Sequence, residues 1–145
     1  MPVMRDSRGV FDGFNKESAM YKVEVTGREG FLFKVNSNGY QFDFGPKGRG
    51  VSPSAAFLAS LAGCIGIYIR KYAEGVKLPI NEFCVNAEAE LCRESPMRFE
   101  NIKISIDLKG VRLEDRRKEA LLRFIKNCPV HNTLKYPPVM EARVL

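Results

Sequence analysis

Residues 52–75 read SPSAAFLASLAGCIGIYIRKYAEG, and the rest of the chain is organised around this apolar stretch. Ser52 is a favourable N-cap residue, Pro53 suits the first helical position, and nothing interrupts the pattern before Gly75. The stretch therefore predicts one helix of about six turns. Because its apolar residues lie on several faces, we expect the helix to be buried by a sheet and also by a second subunit.

The residues before this helix predict an antiparallel meander. Residues 21–26 alternate between apolar and polar positions, and residues 31–35 form a second apolar run. Residues 36–39, NSNG, are a strong turn signal, and residues 40–44 alternate again behind it. Residues 11–15 fit one further, weak strand. We therefore expect three or four strands ahead of the helix.

The residues after the helix predict a hairpin, an amphipathic helix and a last strand. Residues 83–91 and 102–108 alternate cleanly, and residues 113–127 carry apolar side chains at helical spacing. A short helical turn is expected over residues 128–134, and residues 139–145 are expected to form a closing strand. This order of elements is typical of the α+β class with largely antiparallel sheet, in a single domain over residues 1–145.

Composition limits the possible partners and compartments. The chain has 145 residues, 45% hydrophobic residues and ten Phe, which is enough for one core. The net charge of +6 is spread along the sequence, so nucleic acid is not the expected partner. No run of about 18 uninterrupted apolar residues indicates a membrane span, and the first residues lack a signal-peptide apolar region. We therefore expect a cytoplasmic protein without a membrane partner.

The four cysteines are the candidates for chemistry. In a reducing compartment they do not indicate a disulfide framework, and the absence of a tight Cys-x-x-Cys pair argues against a metal site. Cys84 and Cys92 share the polar face of one predicted strand, as bystanders or dimer-edge residues. Cys64 lies in the apolar helix, where burial alone would leave its thiol inert. The neighbouring Gly63 and Gly66 leave room either for a substrate or for close helix packing.

Cys128 has the better electrostatic position. Because Pro129 suits the first position of a helix, Cys128 is expected at its N-cap, where backbone N–H groups favour a thiolate. His131 is the single histidine and lies within one helical turn of this sulfur. It could hydrogen-bond the thiol or serve only as a structural or solvent-facing residue. A Cys/His acyl-transfer pair would also need an orienting group and an oxyanion hole, and the sequence indicates neither.

Taken together, these features resemble the OsmC/Ohr family, the osmotically inducible and organic hydroperoxide resistance proteins. The likeness consists of Ser52-Pro53 opening a long apolar helix with Cys64, the strand pair, the amphipathic helix, and Cys128-Pro129-Val130-His131 before a final strand. It implies an OsmC-like fold in which antiparallel sheets pack on the central helix and on a second amphipathic helix. It also implies an intertwined homodimer with its sites at the subunit interface.

By this resemblance, the protein is a thiol-dependent peroxidase that needs no cofactor. The Cys64 thiolate would attack an organic hydroperoxide, release an alcohol and become a sulfenic acid. Cys128 would trap this acid as a disulfide, which an external dithiol would reduce. Residues 27–30, GREG, match an early Gly-Arg-Asp-Gly turn of the family, so Arg28 is the candidate to lower the Cys64 pKa and polarise the peroxide.

One position departs from the family pattern. Hydroperoxidases of this family carry a glutamate just after the proline that opens the cysteine helix, where it holds the arginine. Here Ser54 or Ala55 occupies that position. The departure keeps a second hypothesis open, in which the protein is a non-catalytic member that binds a small apolar or thiol ligand at the dimer interface.

Overall fold

A computed structural model of the chain describes residues 20–145. The strand predicted at residues 11–15 lies outside this range. The chain divides into two compact units, Met1–Pro53 and Ser54–Leu145. Whether the two units form one domain, as the sequence predicted, stays a prediction, and each unit is described by itself.

The first unit holds a three-stranded antiparallel meander in the order β1-β2-β3. Its strands are β1 (Glu24–Gly27), β2 (Phe33–Ser37) and β3 (Tyr40–Phe44). The turn between the last two strands follows the sequence signal. Asn38 and Gly39 both adopt positive φ angles, and the Asn36 side chain accepts a hydrogen bond from the Gly39 N–H at 3.2 Å. Asn and Gly are the residues that tolerate this left-handed backbone. Together with the pairing of the three strands, this turn confirms the predicted meander.

The second unit contains a hairpin and three helices. Its elements are α1 (Pro53–Gly75), β4 (Cys84–Cys92), β5 (Arg98–Asp107), α2 (Asp115–Ile125) and α3 (Pro129–Lys135). The long helix therefore begins at the predicted proline and ends at the predicted glycine. Leu113, predicted to open the amphipathic helix, lies just before it and still belongs to the buried core.

The hairpin contains a β-bulge. Glu88 pairs with Lys103, whereas Glu90 pairs with Glu100, so β5 carries one extra residue between these pairs. Asn101, in this interval, has a positive φ of 52°. A bulge of this kind bends the strand and increases its twist, which lets a short two-stranded sheet curve over a helix.

The core lies between α1, the hairpin and α2. Ile69 on α1 is fully buried, and Phe124 of α2 places its ring within 6 Å of the rings of Tyr68 and Tyr72. The inward face of β5 adds Ile102, Ile104 and Ile106 to this cluster. The fold class is confirmed, because antiparallel sheet, a long apolar helix and an amphipathic helix are all present.

Only one face of α1 is covered within the unit. The helix buries seven of its side chains, but Ala55, Phe57, Ala59 and Gly63 stay exposed. By length and composition alone the helix could cross a membrane, a property shared by core helices of soluble proteins. Its exposed side is too apolar to be an ordinary solvated helix face.

The closing strand predicted at residues 139–145 is wrong. No strand forms after α3 in the part of the chain that the structure describes. Val139 and Met140 are each 90% exposed, and Pro137 and Pro138 separate them from the helix. Alternation shows only which side chains suit a strand, and residues 139–145 pair with none of the described strands.

Candidate functional site

Cys64 lies in the middle of α1, on its buried face. The residue is 6% exposed and belongs to the core cluster with Leu61 and Tyr68. The two glycines beside it differ in role. A Cβ on Gly66 would come within 3.3 Å of the Phe83 ring, so Gly66 permits close packing, whereas a Cβ on Gly63 would meet open space. The core packing surrounds the sulfur, and of the two glycines only Gly66 is needed for a close contact.

Cys128 is the N-cap residue of α3, as the sequence predicted. Pro129 occupies the first helical position, and the Cys128 Sγ accepts a hydrogen bond from the His131 N–H at 3.5 Å. The residue is fully buried. N–H groups in the first turn of a helix have no partner inside the helix, and here the sulfur takes the place of an ordinary capping oxygen.

The structure brings the two thiols together. The Cys64 and Cys128 side chains form a hydrogen bond, and both cysteines are free thiols. A second hydrogen bond runs from the Val130 N–H to the Cys64 sulfur. The first turn of α3 therefore donates to both sulfurs, through Val130 to one and through His131 to the other. A pair held this way is placed for thiol–disulfide chemistry.

The environment of Cys64 favours the neutral thiol. Burial and the hydrogen bond to Cys128 raise the pKa of Cys64 to about 11, while the Val130 N–H and the charge of Lys71 act in the opposite direction. Burial also raises the pKa of Tyr68, and the two nearby thiols add to this effect. At neutral pH the Cys64 thiol is therefore mostly protonated, and reaction requires that a small thiolate fraction form.

His131 contributes through its backbone. Its N–H holds the Cys128 sulfur, whereas its ring Nδ1 is buried without a hydrogen-bond partner in the described structure. The imidazole is therefore not the group that contacts the thiol. The hydrogen bond to the sulfur that the sequence left open for the His131 side chain is made by the backbone N–H instead.

Sequence reasoning missed three contributors to this site. The Val130 N–H contacts the Cys64 sulfur, Tyr68 lies one helical turn from Cys64, and Lys71 lies two turns from it. The signals were present in the chain. Pro129 at the first helical position leaves the next N–H groups free to cap, and positions four and seven residues beyond Cys64 share its helix face.

Arg28, the predicted activating cation, belongs to the first unit. It lies in the turn between β1 and β2 and is exposed. Its side chain lines a cleft of about 570 Å³ that also contains Glu29, Lys34 and Asp43. Its role towards Cys64 stays a prediction. The first turn of α1 contains no acidic residue, in agreement with the missing family glutamate.

Cys84 and Cys92 lie on β4, outside the helices that carry Cys64 and Cys128. Both are half-buried at the two ends of β4, and the Cys84 thiol donates to the Asn86 side chain at 3.7 Å. Among residues 20–145, no three His, Cys, Asp or Glu side chains cluster as a metal site requires.

A separate groove of about 640 Å³ lies between β5 and α2. Its walls are mainly apolar, with Arg112, Lys118 and Asp107 also present. Neither Cys64 nor Cys128 lines it. The candidate thiol chemistry therefore lies outside this groove.

The raised pKa of Cys64 predicts a pH-dependent stability. An unfolded thiol ionises near the ordinary value of 9.0, whereas the folded one holds its proton up to about 11. The neutral buried thiol therefore contributes stability below pH 9 that is lost as the pH rises towards 11. Between pH 8 and pH 10, the free energy of unfolding of the wild type should fall by about 1 kcal/mol more than that of Cys64→Ala.

Urea denaturation at a series of pH values measures this difference. Cys84→Ala, which keeps Cys64, is the matched control and should follow the wild type. Parallel curves for the wild type and Cys64→Ala would contradict the assignment of a strongly raised pKa to this thiol.

Comparison with known proteins agrees with this architecture. The OsmC-like protein family matches residues 45–143, which span both cysteines but not Arg28. No curated protein sequence matches the chain significantly. An OsmC-like protein from Mycoplasma pneumoniae has a similar structure, with a TM-score of 0.71 at 21% identity over 82% of this chain and 89% of that one.

Two further solved structures are named as organic hydroperoxide resistance proteins. The one from Legionella pneumophila has a TM-score of 0.59 at 19% identity, over 83% of this chain and 92% of its own. The one from Elizabethkingia anophelis has a TM-score of 0.62 at 18% identity, over 84% and 92% respectively. At these identities the structures establish a shared fold, and the family match extends over more than half of the sequence. The chain therefore belongs to the OsmC-like protein family.

Proposed function

We propose that this protein is a thiol-dependent peroxidase that reduces organic hydroperoxides to alcohols. The observation that carries the proposal is the pair of reduced, hydrogen-bonded thiols, Cys64 and Cys128, at the start of α3. Membership of the OsmC-like family supports a redox role. The relatives from Legionella pneumophila and Elizabethkingia anophelis, named for organic hydroperoxide resistance, support the choice of substrate class.

The reaction uses the two thiols in turn. The Cys64 thiolate attacks the terminal peroxide oxygen, the O–O bond breaks, and the alkoxide leaves and takes up a proton to become the alcohol. Sulfur is oxidised by two electrons to the sulfenic acid. The Cys128 sulfur then attacks the Cys64 sulfur, so that an S–S bond forms and water leaves. An external dithiol reduces the disulfide and is itself oxidised, which returns both thiols.

The hydrogen bonds around the sulfurs favour this sequence of steps. The Val130 N–H donates to Cys64 and therefore stabilises its thiolate relative to the thiol. Because Cys128 is already in contact with Cys64, the sulfenic acid forms beside its trapping thiol. Arg28 is proposed to polarise the peroxide from the first unit, and Ser54 or Ala55, in the place of the family glutamate, leaves it without that carboxylate.

The chain is proposed to act as a homodimer in the cytoplasm. Support for the dimer comes from the exposed apolar side of α1 and from the exposed Val139 and Met140 near the C-terminal end. Support for a reducing compartment comes from the four free cysteines. The proposed partners are therefore a second copy, an organic hydroperoxide and a dithiol reductant.

Sedimentation equilibrium tests the dimer. The wild type should sediment at twice 16.4 kDa, and Ala59→Arg, on the exposed side of α1, should shift the protein towards the monomer. Ser105→Arg, on the exposed face of β5, adds the same charge and should remain dimeric. A wild type that stays at 16.4 kDa at high concentration would contradict the proposal.

A second candidate function is ligand binding without catalysis. The apolar groove between β5 and α2, with Arg112 and Lys118 among its lining residues, favours a small apolar ligand. The pKa of Cys64, raised by burial, and the missing glutamate both reduce the expected peroxidase efficiency. If this is the function, Cys64→Ser should bind the ligand as tightly as the wild type does.

Hydroperoxide consumption separates the two functions. With cumene hydroperoxide and a dithiol, Cys64→Ser should lose at least about a hundredfold in turnover, because the nucleophile is removed. Cys128→Ser should complete one turnover and then stall or react through the external thiol. Cys84→Ser is the matched control and should keep the wild-type rate. Unchanged turnover in Cys64→Ser would remove the proposed nucleophile and leave the ligand-binding function.

A further inference from the structure

The Cys64 thiolate needs positive charge that the backbone alone does not supply. The sulfur is buried in an apolar cluster, and an ion in such surroundings is costly unless an opposite charge is near. The Val130 N–H offers only a partial charge. The sequence pointed to Arg28 for this task, but Arg28 belongs to the first unit. The second unit contains a cation of its own on the same helix as the thiol.

Lys71 lies on the Cys64 face of α1. The two residues are seven positions apart, which is close to two full turns, so their side chains leave the helix on the same side. The next cation, Arg70, points elsewhere and donates to the backbone carbonyls of Ile80 and Asn81. Lys71 is half-buried, whereas Arg70 is exposed.

The Lys71 side chain runs towards the sulfur. Its Nζ lies 5.1 Å from the centre of the Tyr68 ring, and Tyr68 is one turn closer to Cys64 along the helix. Side chains on a helix lean towards its N-terminus, which is the direction of Cys64. Tyr68 and Cys64 are separated by about 6 Å of helix rise. The ammonium group is thus brought well within the range at which a charge acts on a buried thiol.

Tyr68 makes this arrangement effective. The residue is 7% exposed and belongs to the same buried cluster as Cys64. Burial raises the pKa of Tyr68, so the phenol stays neutral at neutral pH and adds no negative charge beside the thiolate. The aromatic face also attracts the ammonium group and holds it over the ring.

We propose that Lys71 is a positioning residue that stabilises the Cys64 thiolate by its charge, held in place over the Tyr68 ring. This inference deepens the proposed function and rests on it, because it names the group that activates the nucleophile. The other groups next to Cys64 are Tyr68 on α1, and Cys128 and the Val130 N–H from α3. Burial has the larger effect and raises the pKa of Cys64, whereas the charge of Lys71 lowers it.

The test measures the thiolate without using a peroxide. The rate at which methyl methanethiosulfonate labels each cysteine is followed by peptide mass spectrometry between about pH 6 and pH 9, where a lysine side chain keeps its charge. In this range the rate at Cys64 is proportional to its thiolate fraction. Lys71→Met keeps most of the side-chain length but removes the charge. Lys71→Arg keeps the charge, and Lys103→Met removes an equal charge from the exposed face of β5.

Removal of the charge should raise the pKa of Cys64 by about half a unit to one unit. Labelling of Cys64 in Lys71→Met should therefore be about three- to tenfold slower than in the wild type at every pH, with the same slope. Lys71→Arg should recover most of the rate, and Lys103→Met should not differ from the wild type. The rate at Cys84 should be unchanged in all four proteins.

Two results would overturn the inference, and they can be distinguished. Equal labelling of Cys64 in the wild type and in Lys71→Met, or a loss that Lys71→Arg does not recover, would contradict the role of Lys71 but leave the peroxidase proposal standing. A Cys64 that no protein labels at any pH would contradict both, because a peroxidatic thiol has to be reachable by a small reagent.

Discussion

Two buried sulfurs share the first turn of one short helix, and this constraint governs the rest of the site. The Val130 N–H donates to Cys64 and the His131 N–H donates to Cys128. The N–H groups of a helix N-terminus need partners, and here the thiols are those partners. Cys64 lies on the long helix α1, and Cys128 follows the C-terminal end of the amphipathic helix α2. The helices of the second unit therefore position the two thiols.

The same arrangement balances protection against reactivity. Burial keeps the thiols apart from bulk solvent and raises the pKa of Cys64, so most molecules hold a neutral thiol at neutral pH. The backbone N–H of Val130 and the charge of Lys71 oppose this effect. Lys71 offers part of the charge stabilisation that the sequence assigned to Arg28.

Local sequence signals predicted the architecture well. The long helix runs from Pro53 to Gly75 as predicted. Asn38 and Gly39 form the turn of the meander because both tolerate the positive φ angles that it requires. The N-cap position of Cys128 followed from Pro129 in the same way. The closing strand was wrong because a strand needs a hydrogen-bonded partner, and local alternation does not show whether residues 139–145 find one.

Contacts across elements were harder to predict. The hydrogen bond from Val130 to Cys64 joins residues 66 positions apart in the chain, and no periodicity encodes it. Lys71 and Tyr68 were visible as neighbours on the Cys64 face, but their importance depends on which side of the helix is buried. The extra residue of β5 at the bulge likewise follows from pairing with β4. Tertiary packing decides these features.

Cys64 and Cys128 are proposed to form one redox centre. The most direct measurement is peptide mapping by mass spectrometry after the reduced protein receives one equivalent of cumene hydroperoxide. We expect a Cys64–Cys128 disulfide within seconds, with Cys84 and Cys92 still reduced. If all four thiols remained reduced, or oxidised slowly and without selection, the two sulfurs would be a structural pair. That result would contradict the proposed peroxidase reaction.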